Sequence, residues 1–383
     1  MIRGRKLFFK VISFYFRSDL GNAPTNACYG VLIFCFRNAN SISMIFNNRN
    51  ISFLILSGIF LLLSCSKKPS EKIIRFIGET QGTYYAVTCV VQDSINLQPA
   101  IDSLFHRFDS SASTYKPNSI ITRLNNNDLG AVADSTYEVI FRKAMEVSKS
   151  TNGAFDITVG PLVNAWGFGF SDRMKVDQRV VDSLMPLVGY GKVKLVNGRL
   201  VKTDSRIQID YNAIAQGYAV DVLAAFLHSR GITSFLVDIG GEVLAKGVKP
   251  GGEKWMVGIE KPAKDMDSDR EVEDVVSLYD AALSTSGNYR KYYEENGVRY
   301  SHTIDPSNGY PVKHSLLSVS VLAGDCMTAD AYATAFMVMG LEKSKEYLTQ
   351  NKSLNAYFIY SDSLGKLSIS YTDGFKGILK PRE

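Results

Sequence analysis

Asp330 and Thr334 stand four residues apart in Thr328-Ala-Asp-Ala-Tyr-Ala-Thr334. On a helix that spacing puts a carboxylate and a hydroxyl oxygen on one face. Two such hard oxygens suit Mg²⁺, which takes oxygen ligands and keeps positions for phosphate and water. The same spacing is met by an acid favouring the positive end of a helix beside a threonine packed among Ala331, Ala333 and Ala335. A second group is His302, one of four histidines, in Ser301-His-Thr-Ile-Asp-Pro306 followed by Ser-Asn-Gly-Tyr-Pro311. Pro306, Gly309 and Pro311 mark a tight turn that presents a side chain outward, as a proton acceptor or as a solvated surface residue. The third is Ile209-Asp-Tyr-Asn-Ala-Ile-Ala-Gln-Gly-Tyr-Ala-Val-Asp221, where a strand ends in an acid and turns straight into a helix. Amides at a helix start suit phosphate oxygens, and an acid before a helix is also an ordinary cap.

The elements that must position these groups alternate irregularly. Strands are expected at Thr83–Val91, Ser234–Ile239, Trp255–Glu260 and Ser318–Leu322, with a hairpin in 193–209 turning at Asn197-Gly198. Helices are expected at Pro99–Phe108, Tyr137–Ser150, Ala213–His228 and Ala329–Met339, the last capped by Thr328 and ended by Gly340. Interspersed elements without regular βαβ repetition point to an α+β fold. The chain has no GxGxxG after a strand, no GxxxxGK[ST] and no GxSxG, so dinucleotide-fold, P-loop and hydrolase-elbow readings lack their fingerprints.

At 383 residues, 45% hydrophobic and 21% charged, the chain is of ordinary globular composition. Its net charge of +5 comes from the front: of 43 basic and 38 acidic residues, the first 64 hold Arg3, Arg5, Lys6, Lys10, Arg17, Arg37 and Arg49 against Asp19 alone. The rest is close to neutral, which argues against a nucleic-acid partner. The apolar run Ile51–Leu63 is too short for a membrane span of roughly 20 residues. It ends in Leu62-Leu-Ser-Cys65 and resembles a bacterial lipoprotein signal in which Cys65 is lipidated and becomes the first residue. An uncleaved membrane anchor is the alternative. Residues 1–43 have the pattern of neither a targeting peptide nor a domain, and Met44 opens a signal of ordinary proportions. The expected organisation is therefore a doubtful leader over 1–43, a signal peptide over 44–64, a lipidated tether over 65–77 and one domain over 78–383. Cys89 and Cys326 remain in that domain, paired or free, and no CxxC or Cys/His cluster suggests zinc.

Six ordered segments together resemble the motif series of the ApbE family of FAD:protein FMN transferases. They are Gly153-Ala-Phe-Asp-Ile-Thr-Val-Gly-Pro-Leu-Val-Asn-Ala-Trp-Gly-Phe-Gly169, Asp210–Asp221, Val237-Asp-Ile-Gly-Gly-Glu242, Ala282-Leu-Ser-Thr-Ser-Gly-Asn-Tyr289, Ser301–Pro311 and Asp325–Thr334. The resemblance runs from about Gly78 to the end; each block is short, and the order carries the match. It implies a mixed α/β fold with largely antiparallel sheets. The implied reaction splits FAD at its pyrophosphate, joins FMN to a threonine hydroxyl of an acceptor protein as a phosphoester and releases AMP, with Mg²⁺ offsetting phosphate charge. By position His302 resembles the base. Asp330 and Thr334 match the metal-binding side chains, and Ala213 matches a residue whose carbonyl is a third ligand.

Further positions match the family's nucleotide contacts: Gln81, Tyr115, Ala154, Phe155, Asp156, Asp210, Gln216 and Ile304. Tyr115 offers a ring for stacking; Asp156 and Asp210 offer acceptors to ligand amino or hydroxyl groups, or else serve turns and caps. Two positions depart from the family. Gln81 stands where many members have methionine, and Gln216 where many have lysine, which removes a positive charge from the expected phosphates and leaves an amide donor. Two other outcomes use the same scaffold: an Mg²⁺-dependent FAD pyrophosphatase with water in place of threonine, disfavoured by Tyr115, and a non-catalytic flavin-binding lipoprotein. The resemblance implies acceptors with an exposed threonine motif, among them subunits of membrane redox complexes. The expected location is a lipid-anchored protein facing the periplasm, with Ser66 tilting towards the outer membrane.

Overall fold

The computed structural model describes residues 71–169, 176–262, 271–288, 292–295 and 298–381. Cys65, the signal and the leader lie outside them. The chain begins with β1 (Lys72–Thr80) and β2 (Thr83–Val91), then α1 (Gln98–Ala112), α2 (Ile120–Asn125), α3 (Ser135–Ser150), α4 (Gly160–Ala165) and α5 (Gln178–Leu184). A hairpin of β3 (Val193–Val196) and β4 (Arg199–Lys202) leads to α6 (Ala215–Ser229). The strands β5 (Phe235–Ile239), β6 (Glu242–Lys246), β7 (Trp255–Glu260), β8 (Val272–Leu278), β9 (Ala281–Gly287), β10 (Tyr292–Glu295), β11 (Val298–Ser301) and β12 (Leu316–Ala323) follow. The chain closes with α7 (Cys326–Gln350), β13 (Asn355–Ser361), β14 (Leu367–Tyr371) and α8 (Asp373–Lys376).

Eight strands form one sheet in the order β1-β2-β5-β6-β9-β12-β13-β14, every neighbouring pair antiparallel. β3–β4, β7–β8 and β10–β11 are separate two-stranded pairs. The fold is therefore α+β, as the interspersed pattern suggests. Both faces of the main sheet are covered, and the two-residue alternation of strands shows which residue serves which face. In β6, Leu244 joins the large core with the helices, while Val243 and Ala245 turn to a second core under β7–β8 built around Trp255. In β13, Ala356 and Phe358 face the helices, and Tyr357 and Ile359 face the second core.

Several expected boundaries change. Residues 72–77, expected as part of a tether, form most of β1, zipped to β2 from Lys72↔Val91 to Thr80↔Thr83. Its exposed Ile73 and Ile77 conceal it in the sequence, because an edge strand buries only part of one face. The cap of α7 is Asp325, not Thr328: its carboxylate accepts from the Thr328 N–H at 2.8 Å and from the Thr328 hydroxyl at 2.9 Å. Nor does the helical stretch stop at Gly340. That residue breaks it with φ +75° and ψ 177°, a conformation glycine takes without a Cβ penalty, and helix resumes beyond. His314 Nε2 lies 2.7 Å from the Met337 carbonyl, and Ser344 donates to the Gly340 carbonyl at 2.6 Å, so the groups freed by the kink have partners. Cys89 and Cys326 are buried free thiols. No helix among the described residues is long and apolar enough to cross a membrane.

Candidate functional site

The carboxylate of Asp330 sits where α6 and α7 touch. A Cβ on Gly217 would lie 2.4 Å from the Cys326 carbonyl and 2.8 Å from Asp330 Cβ, so only glycine lets the helices come this close. Gly217 N–H donates to Asp330 Oδ2 at 3.0 Å. That donor is the one that would otherwise close the first helical turn on Ala213, so the Ala213 carbonyl is left to the cavity it lines. Gly217→Ala is expected to force the helices apart, costing about 1–3 kcal/mol. A melting temperature within a degree of wild type would contradict this packing.

The cavity has a volume of about 1190 Å³ and gathers every sequence-predicted site residue of the domain. Gln81 comes from the β1–β2 turn, Tyr115 from the loop after α1, and Ala154, Phe155 and Asp156 from the turn after α3. Asp210, Ala213 and Gln216 come from the entry to α6, His302 and Ile304 from the loop after β11, and Asp330 and Thr334 from α7. Cys65 lies outside the described residues.

Three supports hold the His302 loop. Trp166 Nε1 donates to the Gly309 carbonyl at 2.9 Å, and Ile304 packs with Leu162, Trp166 and Val181 in a small core of its own. The Phe168 ring meets His302 edge-on at 6.3 Å. Asp305, the neighbouring carboxylate, is occupied within the turn: Oδ1 accepts from the Ser307 N–H at 2.8 Å and hydroxyl at 2.7 Å, and Oδ2 accepts from Asn308 Nδ2 at 2.7 Å. His302 lines the cavity and Asp305 does not.

The acids differ in what they have left to offer. Asp156 is buried and fully engaged, accepting from the Thr158 N–H and hydroxyl at 2.8 and 2.6 Å and from the Tyr190 N–H at 2.7 Å. It therefore clamps two turns at the cavity wall. Asp210 accepts from the Asn212 N–H at 2.7 Å, and burial pushes its carboxyl up. Asp330 is 5% exposed, and burial pushes it up to about 7, with the Asp221 charge adding to the rise and the Gly217 bond opposing it. Both amide hydrogens of Gln216 are directed inward, to the Ile239 carbonyl at 2.7 Å and to Glu242. The amide donor expected for a phosphate is thus already engaged within the protein.

Sequence reasoning missed Glu242 and Ser286 as site residues, although both lie in quoted motif blocks. Glu242 starts β6 after the Gly240-Gly241 turn, and desolvation, then the Asp330 charge, hold its carboxyl well above the usual range. Ser286 Oγ lies 3.4 Å from Thr334 Oγ1. The signal for each was strand alternation: an acid opening β6 and a hydroxyl late in β9 fall on the sheet face under α7.

Seven carboxylates line the cavity (Asp109, Asp156, Asp210, Asp238, Glu242, Glu260 and Asp330) against one lysine, Lys116, itself 3.1 Å from Asp109. An anionic nucleotide entering such a wall needs added positive charge. No group of three or more His, Cys, Asp or Glu among the described residues is arranged to hold a metal. The donors near Asp330 are instead mixed oxygens: its carboxylate, the Thr334 and Ser286 hydroxyls and the Ala213 carbonyl, all on the cavity wall. This set fits a hard cation such as Mg²⁺.

Residues 81–358 match the ApbE family model. The FAD:protein FMN transferase of Vibrio cholerae is 37% identical over 310 residues, covering 79% of this chain and 91% of that protein. That of Haemophilus influenzae is 34% identical over 348 residues, covering 87% and 99%. The solved structure of the flavin transferase ApbE from Vibrio cholerae superposes with a TM-score of 0.73 at 33% identity, covering 81% of this chain and all of that one. With its fold, its ordered motifs and its relatives in agreement, the chain belongs to the ApbE family.

Proposed function

We propose that this protein transfers FMN from FAD to a threonine hydroxyl of an acceptor protein, forming a phosphoester and releasing AMP. The observation that carries the reading is the convergence of the family's nucleotide, metal and base positions on one cavity of a chain whose relatives bear that activity's name.

In this reading FAD lies along the wall, with Tyr115, 62% exposed at the cavity's rim, offering its ring for stacking. Asp210 accepts from ligand donors, and Ala154, Phe155 and Ile304 supply backbone and apolar contact. His302 removes the acceptor hydroxyl's proton as the threonine oxygen bonds to the FMN-side phosphorus. The bond from that phosphorus to the bridging oxygen breaks, and the oxygen leaves with AMP. Mg²⁺ held by Asp330, Thr334 and the Ala213 carbonyl would offset charge on the pyrophosphate. Gly217 and Ser286 orient the side chains that hold it.

The test is incubation of the chain from Ser66 onward with FAD, Mg²⁺ and candidate acceptors. Expected are covalent flavin fluorescence on a denaturing gel and AMP release that requires the acceptor. AMP released equally without any acceptor would instead make the protein an FAD pyrophosphatase.

The Leu62-Leu-Ser-Cys65 run supports a mature protein that starts at a diacylated Cys65, anchored to a membrane and facing the periplasm. Acceptors in membrane redox complexes suit that location. Mass spectrometry of the membrane-bound protein should find a lipid-modified Cys65 at the N-terminus. An intact peptide across Ser64 and Cys65 as the main species would exclude processing.

A further inference from the structure

The cavity reaches along a strand that the nucleotide positions do not use. Among the described residues β7 pairs only with β8, and no other described strand pairs with the far edge over 255–259. β8 differs: its outer edge is taken by the chain's end, with Ser277 N–H donating to the Ile378 carbonyl at 2.8 Å and Lys380 N–H to that of Val275 at 2.9 Å. Trp255 and Ile259 anchor β7 in the second core, with Val257 packed against the same core. Met256 points the other way and is 37% exposed.

Met256, Val257 and Gly258 all line the cavity. Successive side chains of a strand point to opposite faces. Three consecutive residues on one cavity wall therefore present the strand's edge as well as a face. Along such an edge every second residue directs its N–H and C=O outward, which is a template for another strand. The cavity is also large, about 1190 Å³, against roughly 300–1,000 Å³ for typical small-molecule sites.

We propose that the open edge of β7 receives the threonine-bearing segment of the acceptor protein as an added strand, bringing its hydroxyl into the cavity that His302 lines; this rests on the transferase reading. The occupant is an extended polypeptide, because the groups on offer are backbone donors and acceptors in a row. Recognition through the acceptor's main chain leaves its flanking side chains only loosely constrained. The tight turn holding His302 and the anchored β7 then act as fixed walls of one channel.

The experiment offers short synthetic peptides, each with one central threonine, to the chain with FAD and Mg²⁺. The best acceptor is remade with single backbone N-methyl groups at successive positions. Methylation at every second position should lower kcat/KM about tenfold or more, since each removes a ladder hydrogen bond and blocks close approach, while the positions between change little. Amide exchange provides a readout besides activity: adding the unmethylated peptide to the FAD-loaded chain should slow exchange at alternate amides within 256–258. Labelled peptides with no alternation and no protection of β7 would overturn strand addition and leave the transferase reading intact. If no peptide or protein gains FMN, the transferase reading fails and this proposal falls with it.

Discussion

His302→Ala is expected to keep FAD and lose transfer. The imidazole sits on the cavity wall in a loop pinned by the Trp166 bond to Gly309 and by Ile304 in its own small core. Truncation therefore removes a proton acceptor without releasing the loop. A general base acts on the barrier, so the rate should fall by about 10² to 10⁴-fold while FAD affinity, followed by flavin fluorescence, stays near wild type. The acid limb that imidazole ionisation gives the pH–rate profile should vanish with it. Asp305 cannot readily substitute, since both its oxygens are engaged within the turn. Wild-type transfer in this variant would move the base elsewhere; loss of FAD binding alone would make His302 a ligand contact.

Asp330→Asn should remove most turnover and change how stability depends on pH. Asparagine keeps an oxygen for Gly217 N–H but carries no charge for a cation, and such charge stabilisation is worth several kcal/mol, on the order of a thousandfold in rate. In the metal-free wild type, burial pushes Asp330 and Asp221 each up to about 7 and holds Glu242 well above its usual range. Folded values above unfolded ones mean that the stability from these carboxyls is complete below about pH 4 and is lost as pH rises through about 7. Metal-free wild type should therefore melt lower at about pH 8 than at about pH 5.5, and Mg²⁺ should raise the melting temperature most at the higher pH, where the carboxylates are charged. Asp330→Asn should flatten that slope and lose most of the Mg²⁺ shift. Retention of the full shift, or of wild-type turnover at limiting Mg²⁺, would remove α7 from the metal site.

The strongly patterned parts of this fold were legible. β2 and β7 occupy the expected residues, and the Asn197-Gly198 hairpin turns where expected. Among the strands that escaped, three have diluted patterning. β6 and β13 bury both faces, so polar residues do not alternate along them, and β1 exposes isoleucines at an edge. Asp325 displaced Thr328 as cap because a carboxylate one turn earlier can reach both the N–H and the hydroxyl of Thr328. The candidate residues named from short motifs in the domain do line one cavity, while Glu242 and Ser286 on the same wall were missed. What each side chain has left to give was not legible: the Tyr190 N–H that takes the second oxygen of Asp156 and the Glu242 carboxylate that takes the Gln216 amide both lie tens of residues away.

The cavity draws on residues from Gln81 in the first hairpin to Thr334 in α7, and the sheet beneath it joins β2 to β5 and β9 to β12 across long stretches of chain. Pairings that distant form late, after slow loop closure. A nascent chain emerging N-terminus first carries the cavity residues of its first half well before α7 exists, and so lacks the carboxylate of Asp330. In the proposed reaction, chemistry therefore waits until α7, near the end of the polypeptide, has docked. A chain truncated before Asp330 should be inert towards FAD.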